Sequence, residues 1–324
     1  MEYIEKVSAD RINSSIPAKC TLVCFASFED RCFSLLKSID SKKISSAFVF
    51  RNVDKPMDSN NAKNTQIIKD CIPSACVKDI SLSSSISIAD SLFDLVKDLQ
   101  RDNIKNLVVD ITTFTHEALL MLIKNLYLYN ESFDSIKLIY NGASEYSPWL
   151  SKGCKEVRNV IGYPGIFNPS FKYHLVVLTG FEHERTTRLV ELMEPDILSI
   201  GNGIDPTCNN HLNTMQDAKV QFESWLSNLQ SLSGNTFEFS CSRIEDTIRI
   251  LKEIVLQGEK ENLMFVPLNT KLSTISVALV ALQNKRIQVI YPIPEIYNLE
   301  YSKAGDNFTI IDLLEIPEFS GGKS

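Results

Sequence analysis

Two short segments combine carboxylates with an arginine in a way that suits ligand chemistry. An apolar run ends in Ala26-Ser27-Phe28-Glu29-Asp30-Arg31, and a later one ends in Thr179-Gly180-Phe181-Glu182-His183-Glu184-Arg185. An arginine fork can hold a phosphate or carboxylate in bidentate fashion while Glu29 or Glu182 accepts from a sugar or base. The same residues would also make a plain ion pair or cap a helix's first turn. A second group is rich in hydroxyls: Asp110-Ile111-Thr112-Thr113-Phe114-Thr115-His116-Glu117. Its counterpart, Asn269-Thr270-Lys271 followed by Ser273 and Thr274, makes the better anion cradle. A third group, Glu145 with Tyr146 and Glu295 with Tyr297, joins acceptors to rings that can stack on a nucleobase. His116 and His183, beside Glu117 and Glu184, are candidates for a general base at neutral pH.

These groups recur in order. Phe28 to Tyr140 is 112 residues and Phe181 to Tyr291 is 110, and each tyrosine closes a run of similar type, Ile136–Tyr140 and Ile287–Tyr291. Two independently drifting segments would rarely keep that spacing, so the chain reads as a tandem duplication, divided at 1–162 and 163–324.

The elements that must position the groups follow one plan in each half. Strands are predicted at 21–25, 47–51, 76–80, 106–110 and 137–140, with helices near 31–39, 65–71, 88–101 and 115–129. The second half repeats this with strands at 174–178, 197–200, 236–240, 263–266 and 288–291, and helices near 185–193, 214–229, 243–257 and 273–283. Ala89, Leu92, Phe93, Val96 and Leu99 give one helix a single buried stripe. Strands alternating with crossover helices imply an α/β fold, two Rossmann-like domains each with a mainly parallel sheet flanked by helices. In such sheets ligands bind where strands end and helices begin, which collects the groups above around the strand ends. A common hollow between the two halves is the expectation. Helices 115–129 and 273–283 are apolar nearly all round, so each must be buried on several sides, in a central position or against a protein partner or second copy.

Bulk properties narrow the partners. The chain has 324 residues, a net charge of −7 and a pI of about 5.3, which disfavours a long nucleic acid. No apolar stretch approaches a bilayer span and no leader pattern opens the sequence, so a cytoplasmic location is expected. The eight cysteines make no CxxC pair, so neither metal nor cofactor is expected. Glycine-rich dinucleotide and phosphate-loop motifs are missing.

Asp110-Ile111-Thr112-Thr113-Phe114-Thr115 resembles the Asp-x-Thr motif after the fourth strand in CARF-type sensor domains of prokaryotic defence systems. The family pattern continues with Gly and Lys where this chain has Phe114 and His116, and Pro267-Leu268-Asn269-Thr270-Lys271 has no Asp. The resemblance implies a sensor in which paired domains bind a cyclic oligonucleotide. The expected ligand set is Ser27, Glu29, Arg31, Thr112, Thr113, Thr115, Glu145, Tyr146, Glu182, Arg185, Asn269, Thr270, Lys271 and Tyr297. The alternatives are an enzyme acting on a nucleotide or its glycosidic bond, with Glu29, Glu182, His116 or His183 as catalytic candidates, and a scaffold that docks a partner protein.

Overall fold

The structure, a computed structural model, describes residues 3–55, 57–180, 183–205, 216, 219–221, 223–225, 233–300 and 302–321. The chain forms two compact units, Met1–Ser144 with Ser302–Ser324, and Glu145–Tyr301.

Unit 1 holds a seven-stranded sheet. Its parallel core is β2 (Cys20–Ala26), β3 (Ile44–Asn52), β4 (Cys76–Ile80), β5 (Asn106–Asp110) and β6 (Ser135–Tyr146). The spatial order β4-β3-β2-β5-β6 continues with β15 (Ser302–Asp312) and then β1 (Ile4–Ser8), which runs antiparallel to β15. β2 is buried at every position, as a strand covered by helices on both faces must be.

Unit 2 holds a six-stranded sheet. Its parallel core is β9 (Lys172–Thr179), β10 (Ile197–Ile204), β11 (Ser233–Ser240), β12 (Glu261–Pro267) and β13 (Gln288–Ile293), in the spatial order β11-β10-β9-β12-β13. β8 (Glu156–Pro164) closes the edge, antiparallel to β13. Both units therefore place their first parallel strand at the centre, with the second and third on one side and the fourth and fifth on the other. This is the doubly wound, Rossmann-like order, and it opens a crevice at the strand ends where the order reverses.

The division differs from 1–162 and 163–324. β8 lies before residue 163 in large part, yet its ladder is with β13, Val157 opposite Pro292. β15 follows the whole of unit 2, yet pairs with β1, Ile4 opposite Ile311. Hydrogen-bond ladders decide membership here, not proximity along the chain. The strands β1, β8 and β15 flank the predicted five in each half, and β6 is longer than the predicted 137–140.

Helix boundaries follow their caps. Ser84 accepts from Ser87 N at 3.2 Å and starts the helix Ser85–Arg101. Its buried stripe is Ile88, Leu92, Leu95, Val96 and Leu99, while Phe93 is 40% exposed, so the stripe is rotated from the predicted one. The predicted helix 31–39 is a 3-10 turn, Asp30–Phe33, running into the short helix Ser34–Ser38. Helix 214–229 falls largely outside the described residues.

The helices His116–Leu128 and Lys271–Gln283 are buried along nearly their whole length within the chain, Leu119–Ile123 and Leu272–Leu282 included. They are core elements. The expected use of 115–129 and 273–283 as a docking surface for a partner or second copy is corrected by that burial. No helix among the described residues is long and apolar enough to cross a membrane.

Candidate functional site: the strand-end loops

In unit 1 the loops after β2 and β5 are tied to the strands β6 and β15 in one polar network. Arg31 is 4% exposed and donates to Oε2 of Glu29 through Nε at 3.0 Å and Nη2 at 2.8 Å. Its Nη1 donates to the carbonyl of Asn141 at 3.1 Å. Ser302 Oγ, from β15, donates to the same Oε2 at 2.7 Å. The Asn141 backbone N–H donates to Thr112 Oγ1 at 3.0 Å, and its amide Nδ2 donates to the carbonyls of Gly305 at 2.8 Å and Asn307 at 3.0 Å. The Thr112 backbone N–H donates to Asp110 Oδ1 at 3.0 Å, a side-chain turn that shapes the loop. Thr113 Oγ1 donates to the Phe25 carbonyl at 2.6 Å, and Thr115 caps the next helix by accepting from Ala118 N at 3.2 Å.

The ion pair and cap arrangements are thus the ones found at Arg31, Glu29 and Thr115. Burial pushes the Asp110 carboxyl up to about 6, against the opposing pull of the Thr112 bonds and the Arg31 charge. Ser27 is buried, His116 is half-buried, and the neighbouring Glu117 is buried and accepts from Ser85 Oγ at 2.7 Å. Glu145, where β6 leaves unit 1, is exposed and Tyr146 half-buried.

Unit 2 repeats the central contact. Arg185 is buried, donates through Nη1 to Ser151 Oγ at 3.1 Å and through Nη2 to the carbonyl of Pro292, and lies over the Tyr291 ring with Cζ 5.6 Å from its centre. Asn141 and Pro292 each directly follow the tyrosine that ends the repeat, so both buried arginines hold the same backbone position. The small sheet β7 (Ser151–Lys152) with β14 (Ile296–Tyr297) brings Tyr297 opposite Ser151. Asn269 Nδ2 donates to the Thr179 carbonyl at 2.7 Å, and Thr270 Oγ1 to the Cys241 carbonyl at 3.0 Å. Thr270 also caps the helix that starts at Lys271, which is half-buried. Glu182 lies outside the described residues, as does the side chain of His183.

No protein-family model matches this sequence, and no curated protein matches it. Among solved structures the chain is similar to the NADPH-bound carbonyl reductase from chicken fatty liver, at 12% identity and a TM-score of 0.25, over 37% of this chain and 55% of the reductase. It is also similar to a periplasmic ribose ABC transporter from Conexibacter woesei DSM 14684, at 9% identity and a TM-score of 0.22, over 83% of this chain and 68% of the other. The chain thus spans little more than half of the reductase's length. The Rossmann-like assignment stands on the strand order of the chain itself.

An open cleft of about 370 Å³ lies in unit 2, lined by Glu184, Glu191, Glu295, Arg188, Thr187 and Cys154 with Gly153. Arg188 is paired with Glu191 at 3.1 Å, so the cleft presents an excess of carboxylate and does not suit an anion. Among the described residues no group of three or more His, Cys, Asp or Glu side chains is arranged to hold a metal. The buried cysteines Cys20, Cys24, Cys32 and Cys241 behave as packing residues: burial pushes the thiols of Cys32 and Cys241 up to about 12.

The sequence did not point to Asn52, Asn61 and Asn64, which are buried beside Ser27 at the ends of β2 and β3. The signal available was two asparagines three residues apart inside the helix Asp58–Cys71, where their helix propensity is poor.

Proposed function

We propose that this chain is a regulatory or sensor subunit that binds a small anionic, nucleotide-like ligand at its strand-end loops and does not turn it over. The observation that carries the reading is the place of Lys271, the first residue of a 13-residue helix at the strand-order reversal of unit 2. The positive end of the helix dipole lies there, where a lysine is disfavoured by on the order of 0.3–1 kcal/mol. An anion reverses that sign, because helix end and ammonium then attract it together. Asn269 and Thr270, held by Thr179 and Cys241, fix the loop that presents the lysine.

A sensing role is also what the likeness of Asp110-Ile111-Thr112 to CARF-type sensors implies. Catalysis by Glu29 is less favoured, because its Oε2 is occupied by both Arg31 and Ser302.

Isothermal titration of the full chain with mono-, di- and cyclic oligonucleotides, beside the matching nucleosides, tests this. A phosphate-bearing member is expected to bind, with an affinity that falls as salt is raised and drops about tenfold in Lys271→Ala. No heat from any member with folded protein, or conversion of a bound member to product, would overturn it.

A further inference from the structure

In unit 2 several polar side chains at the C-terminal strand ends are tied into the fold. Thr179 Oγ1 donates to the Gly201 carbonyl at 2.8 Å, and Asn269 Nδ2 to the Thr179 carbonyl at 2.7 Å. Thr270 Oγ1 donates to the Cys241 carbonyl at 3.0 Å, and Ser240 Oγ accepts from Arg243 N at 2.9 Å. Asn202, opposite Thr179 in the ladder of β9 and β10, is not tied in this way. It is 7% exposed, and among the described residues its amide has no hydrogen-bond partner. Neither its Oδ1 nor its Nδ2 belongs to the unpaired polar atoms sealed from solvent, so the amide reaches the surface at the strand end.

Asparagine suits a strand poorly, and buried amides are normally hydrogen-bonded. In unit 1, Asn52 ends the second parallel strand and serves the fold: its Oδ1 accepts from Asp54 N at 3.1 Å and Leu82 N at 3.4 Å. No bond within the described residues of unit 2 calls for the Asn202 amide. Its place in the crevice does. β10, β9 and β12 are successive in the sheet, so Asn202 and Lys271 belong to strand ends on either side of β9. At about 4.8 Å per strand, β10 and β12 are about 10 Å apart. Asn202 shares a sheet face with Leu198 and Ile200, which pack with Leu189 and Val190 of the helix His183–Met193. A ligand reaching it from Lys271 therefore lies across the strand ends, over Gly180, which has no side chain to obstruct it.

We infer, building on the anion reading at Lys271, that the ligand is an adenine nucleotide whose base is read by Asn202. An asparagine amide sets an acceptor beside a donor. Adenine answers with its N6 amino group beside N7, the edge with which asparagine makes two parallel hydrogen bonds. With the phosphate at Lys271, the base is the part of the nucleotide that extends to a strand two places away. Inorganic phosphate has nothing to offer there. Exchanging the 6-amino group for a carbonyl, as in IMP, puts two acceptors on that edge and leaves the amide oxygen without a donor.

Isothermal titration of the full chain with 5′-AMP, 5′-IMP and ribose 5-phosphate, in the unsubstituted protein, Asn202→Ala and Lys271→Ala, tests this. The unsubstituted protein is expected to bind AMP about tenfold more tightly than IMP, and ribose 5-phosphate more weakly than either. Asn202→Ala should bring AMP down to the level of IMP and leave ribose 5-phosphate unchanged. Its melting temperature should hold, because the amide bonds nothing in the fold. Lys271→Ala should weaken all three ligands and keep the preference for AMP. Equal affinities for AMP and IMP, a preference for AMP that survives in Asn202→Ala, or a melting temperature lowered by several degrees in that variant overturns the base reading. Binding that still depends on Lys271 then leaves the anion reading standing. No binding of AMP to the folded protein also overturns the base reading, and the wider nucleotide panel then decides the anion reading by itself.

Discussion

Arg31 Nη1 donates to the backbone carbonyl of Asn141 across 3.1 Å, joining residues 110 positions apart in the sequence. The guanidinium is at once the partner of Glu29 and a rivet between the loop after the first parallel strand and the middle of the fifth, β6. Arg185 holds the carbonyl of Pro292 in the same manner. In each unit the geometry of the strand-end crevice depends on one buried cation.

Arg31→Ala should destabilise unit 1 by about 3–5 kcal/mol, because it leaves the Glu29 carboxylate buried without its counter-charge. Arg31→Lys keeps the charge but loses the fork, and should recover only part of that. Denaturant unfolding measures both. Loss of less than about 1 kcal/mol in Arg31→Ala would show that the pair is not what holds the loops.

Asp110 makes stability depend on pH in the direction opposite to most aspartates. Its folded-state value, about 6, lies above the ordinary 3.8, so between those values the folded chain holds a proton that the unfolded chain has released. Stability from this group is full below about pH 4, falls as pH rises to about 6, and is level beyond. The total change is on the order of 3 kcal/mol. Asp110→Asn retains an acceptor for Thr112 N and should remove that slope. Parallel slopes in the two proteins, followed by denaturant unfolding from pH 4 to 7, would show that Asp110 does not carry it.

Removal of Ser302–Ser324 should unfold unit 1 and not merely shorten it. β15 lies between β6 and β1, supplies Ser302 to Glu29, and provides both carbonyls that Asn141 Nδ2 uses. Its approach is close: a Cβ on Gly305 would lie 2.4 Å from the Gly142 carbonyl oxygen. Amide spectra of the shortened chain should lose the dispersed signals of β2 and β5. Retention of those signals would place β15 outside the cooperative core.

The repeat of Arg31 and Arg185, each with a tyrosine about 110 residues on, together with strand and helix periodicity, was enough to establish from the sequence a duplicated α/β chain and to locate its loops. Those signals are local or periodic, and they survive without knowledge of what packs where. The sequence could not assign β8 and β15, because their partners, β13 and β1, are distant and a ladder leaves no local mark on either strand. Nor could it separate a ligand-holding arginine from a buried rivet. Both need the same side chain, and only the position of the Glu29 carboxylate and the Asn141 carbonyl decides which role is filled. Asn52, Asn61 and Asn64 read as unremarkable polar residues until folding buries them together, since an unfilled hydrogen bond is a property of an environment and not of a residue type.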